Sequence, residues 1–211
     1  MTQNNKNNQN KKKTVALLLA LLLLVGSVIG GTLAWLTDKT GAVKNTFTTA
    51  GIEITLTETK GTYDETDEDY KFSMIPGFSL EKDPKVTVLK GSEQCYVFVK
   101  IEKACGVTGK TFDDYLTFDL AAGWTKLTEE TTADVYFRVV DKSTTADQPF
   151  SVLLNDKVTV KGTVTNEMME AIGEDEEPTL TFTAYAIQYM KNESENFTAS
   201  EAWTNIKSAD N

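Results

Sequence analysis

The run Gln94-Cys95-Tyr96-Val97-Phe98-Val99-Lys100-Ile101-Glu102-Lys103 decides the fold class. Val97, Val99 and Ile101 alternate with Phe98, Lys100 and Glu102. A period of two is the signature of a strand with one face toward a core, so the spacing predicts one strand over residues 94–103. The same period recurs along the chain. Ile52, Ile54 and Leu56 alternate with Glu53, Thr55 and Thr57, and Val86 and Val88 with Lys85 and Thr87. Val135, Phe137 and Val139 alternate with Asp134, Tyr136 and Arg138, and Val158 and Val160 with Lys157, Thr159 and Lys161. Leu180, Phe182, Ala184 and Ala186 alternate with Thr181, Thr183 and Tyr185. The many threonines suit strands with a solvated face.

Turn signals separate these runs at Pro76-Gly77, Asp83-Pro84, Lys90-Gly91, Ala122-Gly123 and Asn155-Asp156. Short strands at such spacing predict an all-β, two-sheet antiparallel sandwich. Strands and helices do not alternate regularly, which argues against a parallel α/β sheet. Three short helices are expected: one turn over Thr111–Leu116, a piece over Thr165–Ile172, and Ala199–Ile206. In the last, Thr198 and Glu201 form a capping box, and Ala202, Trp203 and Ile206 make a small apolar face that should pack on the sheets.

The first residues read differently. Lys11, Lys12 and Lys13 precede an uncharged run from Thr14 to Thr37, whose densest part is residues 15–25. A basic start, a short apolar core and small residues at a cleavage point describe a secretory signal. Thr32 and Ala34 occupy the −3 and −1 positions, so cleavage is expected between Ala34 and Trp35. The division is then 1–34 signal peptide, 35–47 N-terminal extended segment, 48–211 β-domain. A retained membrane anchor is the alternative. A spanning helix needs about 20 apolar residues, and residues 15–25 supply roughly half of that before Gly26, Gly30 and Gly31 interrupt the run. Either way the lysines stay inside and the body faces out, so the membrane is met only through an uncleaved leader.

Charge and composition narrow the function. The chain holds 21 basic and 31 acidic residues. The leader accounts for four lysines and no acid, so the body keeps 17 against 31, a net charge of −14. Such a body repels nucleic acid and anionic membranes. About 175 residues suffice for one domain with a core. Cys95 and Cys105 are the two cysteines. Ten extended residues hold them roughly 33 Å apart, whereas a disulfide needs Cα atoms within about 7 Å. They stay free or pair elsewhere unless the chain folds back near Lys103.

There is no histidine. That removes a His-Glu-x-x-His zinc site and any Ser-His-Asp or Cys-His pair, all of which need imidazole. Two acidic runs, Asp64–Asp69 and Glu174–Glu177, lack the spaced Asp-x-Asp-x-Asp-Gly pattern of a calcium loop and read as solvated loops. No catalytic, cofactor-binding or metal-binding residue emerges, and no enzyme is expected.

Gly30-Gly31-Thr32-Leu33-Ala34-Trp35-Leu36-Thr37-Asp38, followed by Asn45-Thr46-Phe47-Thr48-Thr49-Ala50-Gly51-Ile52, resembles the TasA/camelysin-like exported proteins of Gram-positive bacteria. Their leaders are processed by an ER-type signal peptidase (SipW). Ile75-Pro76-Gly77, Lys82–Val88, Ser92–Ile101 and Leu180–Gln188 resemble the BsaA-like biofilm-matrix branch. The resemblance implies a jelly-roll sandwich, secretion, that signal peptidase as a partner, and self-association into extracellular fibres. Some such relatives are labelled metalloendopeptidases, a role that the lack of histidine disfavours here. A monomeric surface adhesion module is a further alternative.

The segment freed by cleavage carries Trp35, Leu36, Val43 and Phe47 as apolar anchors. Two roles are open to it: a donor strand that adds to the sheet edge of another subunit, or an ordinary first strand of its own subunit. The cleavage reading is checked by N-terminal sequencing of secreted protein, which should begin at Trp35. Ala34→Glu should abolish processing, because the peptidase site admits only a small residue there.

Overall fold

The stretches with a two-residue period all form strands in the structure, a computed structural model that describes residues 37–40, 51–64, 69–173 and 175–209. The strands are β1 (Thr37–Thr40), β2 (Ile54–Thr57), β3 (Thr62–Asp64), β4 (Asp69–Lys71), β5 (Ser79–Glu81), β6 (Lys85–Val88), β7 (Cys95–Ala104) and β8 (Leu116–Thr117). They continue as β9 (Thr125–Lys126), β10 (Asp134–Val140), β11 (Gln148–Ser151), β12 (Lys157–Val160), β13 (Thr179–Gln188), β14 (Met190–Asn192) and β15 (Glu195–Asn196). Among the described residues three α-helices accompany them: α1 (Phe112–Tyr115), α2 (Asn166–Glu170) and α3 (Ala199–Ala209). The protein is therefore all-β, with antiparallel sheets and a few short helices.

The largest sheet has the order β1-β13-β7-β10-β9. Two three-stranded sheets, β11-β6-β2 and β5-β12-β8, complete the body, and β3-β4 and β14-β15 are hairpins. β7 is the spine of the large sheet. It pairs with β13 over its whole length, from Cys95 opposite Gln188 to Ala104 opposite Thr179. On its other side it pairs with β10 from Cys95 to Ile101.

The sequence predicted one solvated face for β7, and here the structure differs. Val97, Val99 and Ile101 lie in a common core with Ile54 of β2, Val86 and Val88 of β6, and Val158 and Val160 of β12. The opposite face is buried too: Tyr96 is 6% and Phe98 0% exposed. The cover on that side is α3. The Trp203 ring centre lies 5.3 Å from that of Phe98 and 5.2 Å from that of Tyr185. The reason is visible in composition. Phe98 and Tyr96 stand at nominally outward positions, and rings of that size demand a second layer. Exposure returns only at Glu102 and Lys103.

The expected helices form where the caps predicted. Thr198 donates its backbone N–H to Glu201 at 2.9 Å, and Glu201 donates back to the Thr198 hydroxyl at 3.2 Å. Thr111 and Asp114 make a second capping box at α1. Most turn signals also hold. Pro76-Gly77 closes with Phe78 N–H donating to the Ile75 carbonyl at 3.0 Å, and Gly77 takes φ +81°, which glycine tolerates. Asp83-Pro84 is the exception. It is a connection without regular structure from β5 in one small sheet to β6 in the other. The Asp83 carboxylate accepts from Thr59 N–H at 2.8 Å and Lys60 N–H at 3.0 Å, so it anchors a neighbouring loop. Cys95 opens β7 and Cys105 follows its end. The strand runs unbroken between them, and both are free thiols.

α3 is held by one buried carboxylate. Glu130, its side chain 4% exposed, accepts from Trp203 Nε1 at 2.8 Å and Lys207 Nζ at 2.7 Å. Its other oxygen accepts from Thr132 N–H at 2.9 Å. The Lys207 ammonium, then the Thr132 and Trp203 donors, hold this carboxyl well below the usual carboxylate range. A carboxylate with a lowered folded-state value stabilises the fold fully above its ordinary value of 4.5 and loses that contribution as pH falls below it. Glu130→Gln should lower stability by about 2 kcal/mol at neutral pH, since it leaves a buried donor set without its anion. It should also flatten the dependence on pH below about 4.5. Denaturant unfolding of both proteins at neutral and acid pH checks this.

Candidate functional site

Most of the residues singled out in the sequence, namely Thr32, Ala34, Trp35, Leu36, Val43 and Phe47, lie outside the described residues. The middle of the N-terminal segment does not. Thr37–Thr40 forms β1, the outermost strand on that side of the five-stranded sheet. It pairs antiparallel with β13: Thr37 opposite Ile187, Asp38 opposite Ala186, Lys39 opposite Tyr185 and Thr40 opposite Ala184. In the single chain these four residues pair within their own subunit.

This edge has two chemically different halves. Along Ala184–Ile187, where β1 lies, β13 is buried on every residue. Along Thr179–Thr183, β13 pairs on its β7 side only, among the described residues. That half carries Thr179 and Thr181 exposed to solvent and, among the described residues, has no second strand beside it, the condition under which a further strand can add. Threonine keeps the strand soluble without closing it to pairing.

Chemical groups elsewhere are committed to structure. A cleft of about 1010 Å³ is lined by Lys103, Asp113, Glu130, Trp203 and Lys207 among others. Several of its charges pair with one another, among them Lys103 with Asp113 at 3.2 Å and Lys207 with Glu130 at 2.7 Å. Burial pushes the Cys95 thiol up to about 12, so it is a neutral core filler rather than a nucleophile. No group of three or more Asp, Glu or Cys residues suited to a metal ion occurs among the described residues. Among the same residues no helix is long and apolar enough to cross a membrane. The acidic run Asp64–Asp69 falls on the β3–β4 hairpin, whose Asp64 and Asp69 are paired residues, and residues 65–68 lie outside the described residues.

Sequence reading missed two polar centres. Glu130 was one acid among 31 with nothing to mark it. Arg138 did carry a signal, because it is the one arginine of the chain. No known family, curated protein or solved structure matches this chain.

The edge geometry is open to test by amide hydrogen exchange. Removing Trp35–Thr40 should speed exchange within Ala184–Ile187 by about tenfold or more, because outward N–H groups lose their partners. The β7-facing amides of the same strand should keep their protection.

Proposed function

We propose that the chain is a secreted structural subunit of extracellular biofilm-matrix or surface fibres, assembling by β-strand addition through the segment that follows its leader. The observation that carries this reading is the position of β1. It is four residues long, begins at the third residue past the expected cleavage point, and holds the margin of the main sheet by main-chain pairing to β13. A terminal strand held in that way can be exchanged for the same strand of a second copy, since both present the same residues to the same edge. Along Thr179–Thr183 no outer partner strand lies beside β13 among the described residues, and an incoming chain would find further pairing there.

In this reading the ER-type signal peptidase (SipW-like) releases the segment outside the cell, and the leader until then keeps it at the membrane and away from other subunits. The body is a jelly-roll-like sandwich that serves as a rigid carrier of the edge, and it needs no catalytic group. The net charge of −14 after the leader sets a repulsion between subunits, which strand pairing must outweigh and which salt screens.

The test is to delete Trp35–Lys44 from the mature protein and follow assembly by electron microscopy. Loss of fibres with an unchanged circular dichroism spectrum of the monomer supports the reading. Fibres formed at the undiminished rate overturn it. Mature full-length protein should also assemble faster as salt rises toward physiological strength.

A further inference from the structure

Arg138 stands on β10 opposite Val97 of β7, on the side of the strand shared with Tyr136 and Val140. Its guanidinium carbon lies 3.8 Å from the ring centre of Phe150, on β11, and 5.1 Å from that of Trp124, just before β9. Trp124 is itself fixed, because its Nε1 donates to the Ser151 carbonyl at 2.9 Å. The Ala122-Gly123 turn closes on the same group. Gly123 takes φ +90°, and a Cβ there would stand 2.6 Å from Arg138 Nη2. Three separate pieces of chain thus hold one guanidinium.

What this holder lacks is an anion. Arg138 Nε is buried with no acceptor, and among the described residues the terminal nitrogens have no hydrogen-bond or ion-pair partner. The acids nearest in sequence are engaged elsewhere. Asp134 pairs with Lys126 at 2.7 Å, and Asp141 accepts from Gln94 at 2.8 Å. Burial works against the charge of Arg138, yet a guanidinium does not give up its proton. An unsatisfied buried donor costs about 1–3 kcal/mol. The rings attract the cation but supply no acceptor in its plane.

We propose that Arg138, with Trp124 and Phe150 as its apolar walls, is a binding site for a carboxylate group. A carboxylate is planar and presents two acceptors at the spacing of two guanidinium nitrogens. Its single negative charge matches the single positive charge of the site. A phosphate dianion would bring a second charge, and Lys126 on the adjoining β9 is already paired. The carboxylate is that of an acidic side chain on a peptide or that of a small free acid. The site stands independently of the assembly reading.

The uniqueness of the arginine supplies the assay. In ¹⁵N-labelled protein the Arg138 Nε–H gives one side-chain arginine signal, read on the wild-type chain. The probes are sodium acetate, a blocked Asp-Glu-Thr-Asp-Glu-Asp peptide, sodium sulfate, and sodium chloride at matched ionic strength. Saturable movement of the signal with acetate or with the peptide, absent with chloride, supports the proposal. Saturation by the peptide at about tenfold lower concentration than acetate assigns a peptide carboxylate, and equal or weaker peptide binding assigns a small acid. Arg138→Lys should weaken binding about tenfold, read on the Gly123 amide, because an ammonium lacks the two-pronged edge. Movement no different from chloride, or tighter binding of sulfate than of acetate, overturns the proposal and leaves Arg138 as a stacked plug between the sheets.

Discussion

Phe98 and Val97 are neighbours on one strand, point to opposite faces, and are both 0% exposed. That constraint organises the molecule. A strand buried on both faces must be satisfied along both edges and covered by two layers. β13 and β10 supply the edges. The small sheets supply one layer, through Val86, Val88, Val158 and Val160, and α3 supplies the other through Trp203 and Ile206. Full burial of a Val or Phe side chain is worth about 1.5–3 kcal/mol, so the first five residues of β7 outweigh any local preference of the chain around them. Where that demand ends, at Lys100, the strand becomes amphipathic again and its cover stops.

The second layer is a single helix of eleven residues, too short to be stable by itself. Its apolar contacts with Phe98 and Tyr185 give it adhesion without direction. Glu130 gives it direction. A buried carboxylate must have donors, and two of its donors here, Trp203 and Lys207, lie one turn apart on α3. The Tyr96 hydroxyl adds a third tie by donating to the Phe197 carbonyl at 2.9 Å. One apolar demand and one polar demand thus fix the same helix in one register.

The sequence disclosed those elements whose signal is local. Strands β2, β6, β7, β10, β12 and β13 show a period of two, and the caps Thr198 and Glu201 are three residues apart. The short strands β5, β8 and β9 have two or three residues each, which is below the length at which a period can be read. β11 contains Pro149, a residue that argues against a central strand, and it sits at the margin of its sheet, where proline is tolerated. Double burial of β7 was written in Tyr96 and Phe98, but alternation alone treats an outward ring like an outward lysine. Glu130 was illegible for a different reason. Its donors are 73 and 77 residues away, and no spacing rule reaches that far.

The order β1-β13-β7-β10-β9 gives the main sheet two margins of unlike chemistry. At one, β13 pairs with β1 over four residues and, among the described residues, has no outer partner beyond them. At the other, β9 pairs with only Tyr136 and Phe137 of β10, and the next residue is Arg138. Main-chain pairing is directional and indifferent to side-chain charge, whereas a guanidinium needs an anion and is indifferent to strand polarity. A contact at one margin therefore does not compete with a contact at the other. In a chain with 31 acids, the single arginine is also the cation least able to lose its charge. Held beside β10 between Trp124 and Phe150, it gives that margin a fixed positive charge.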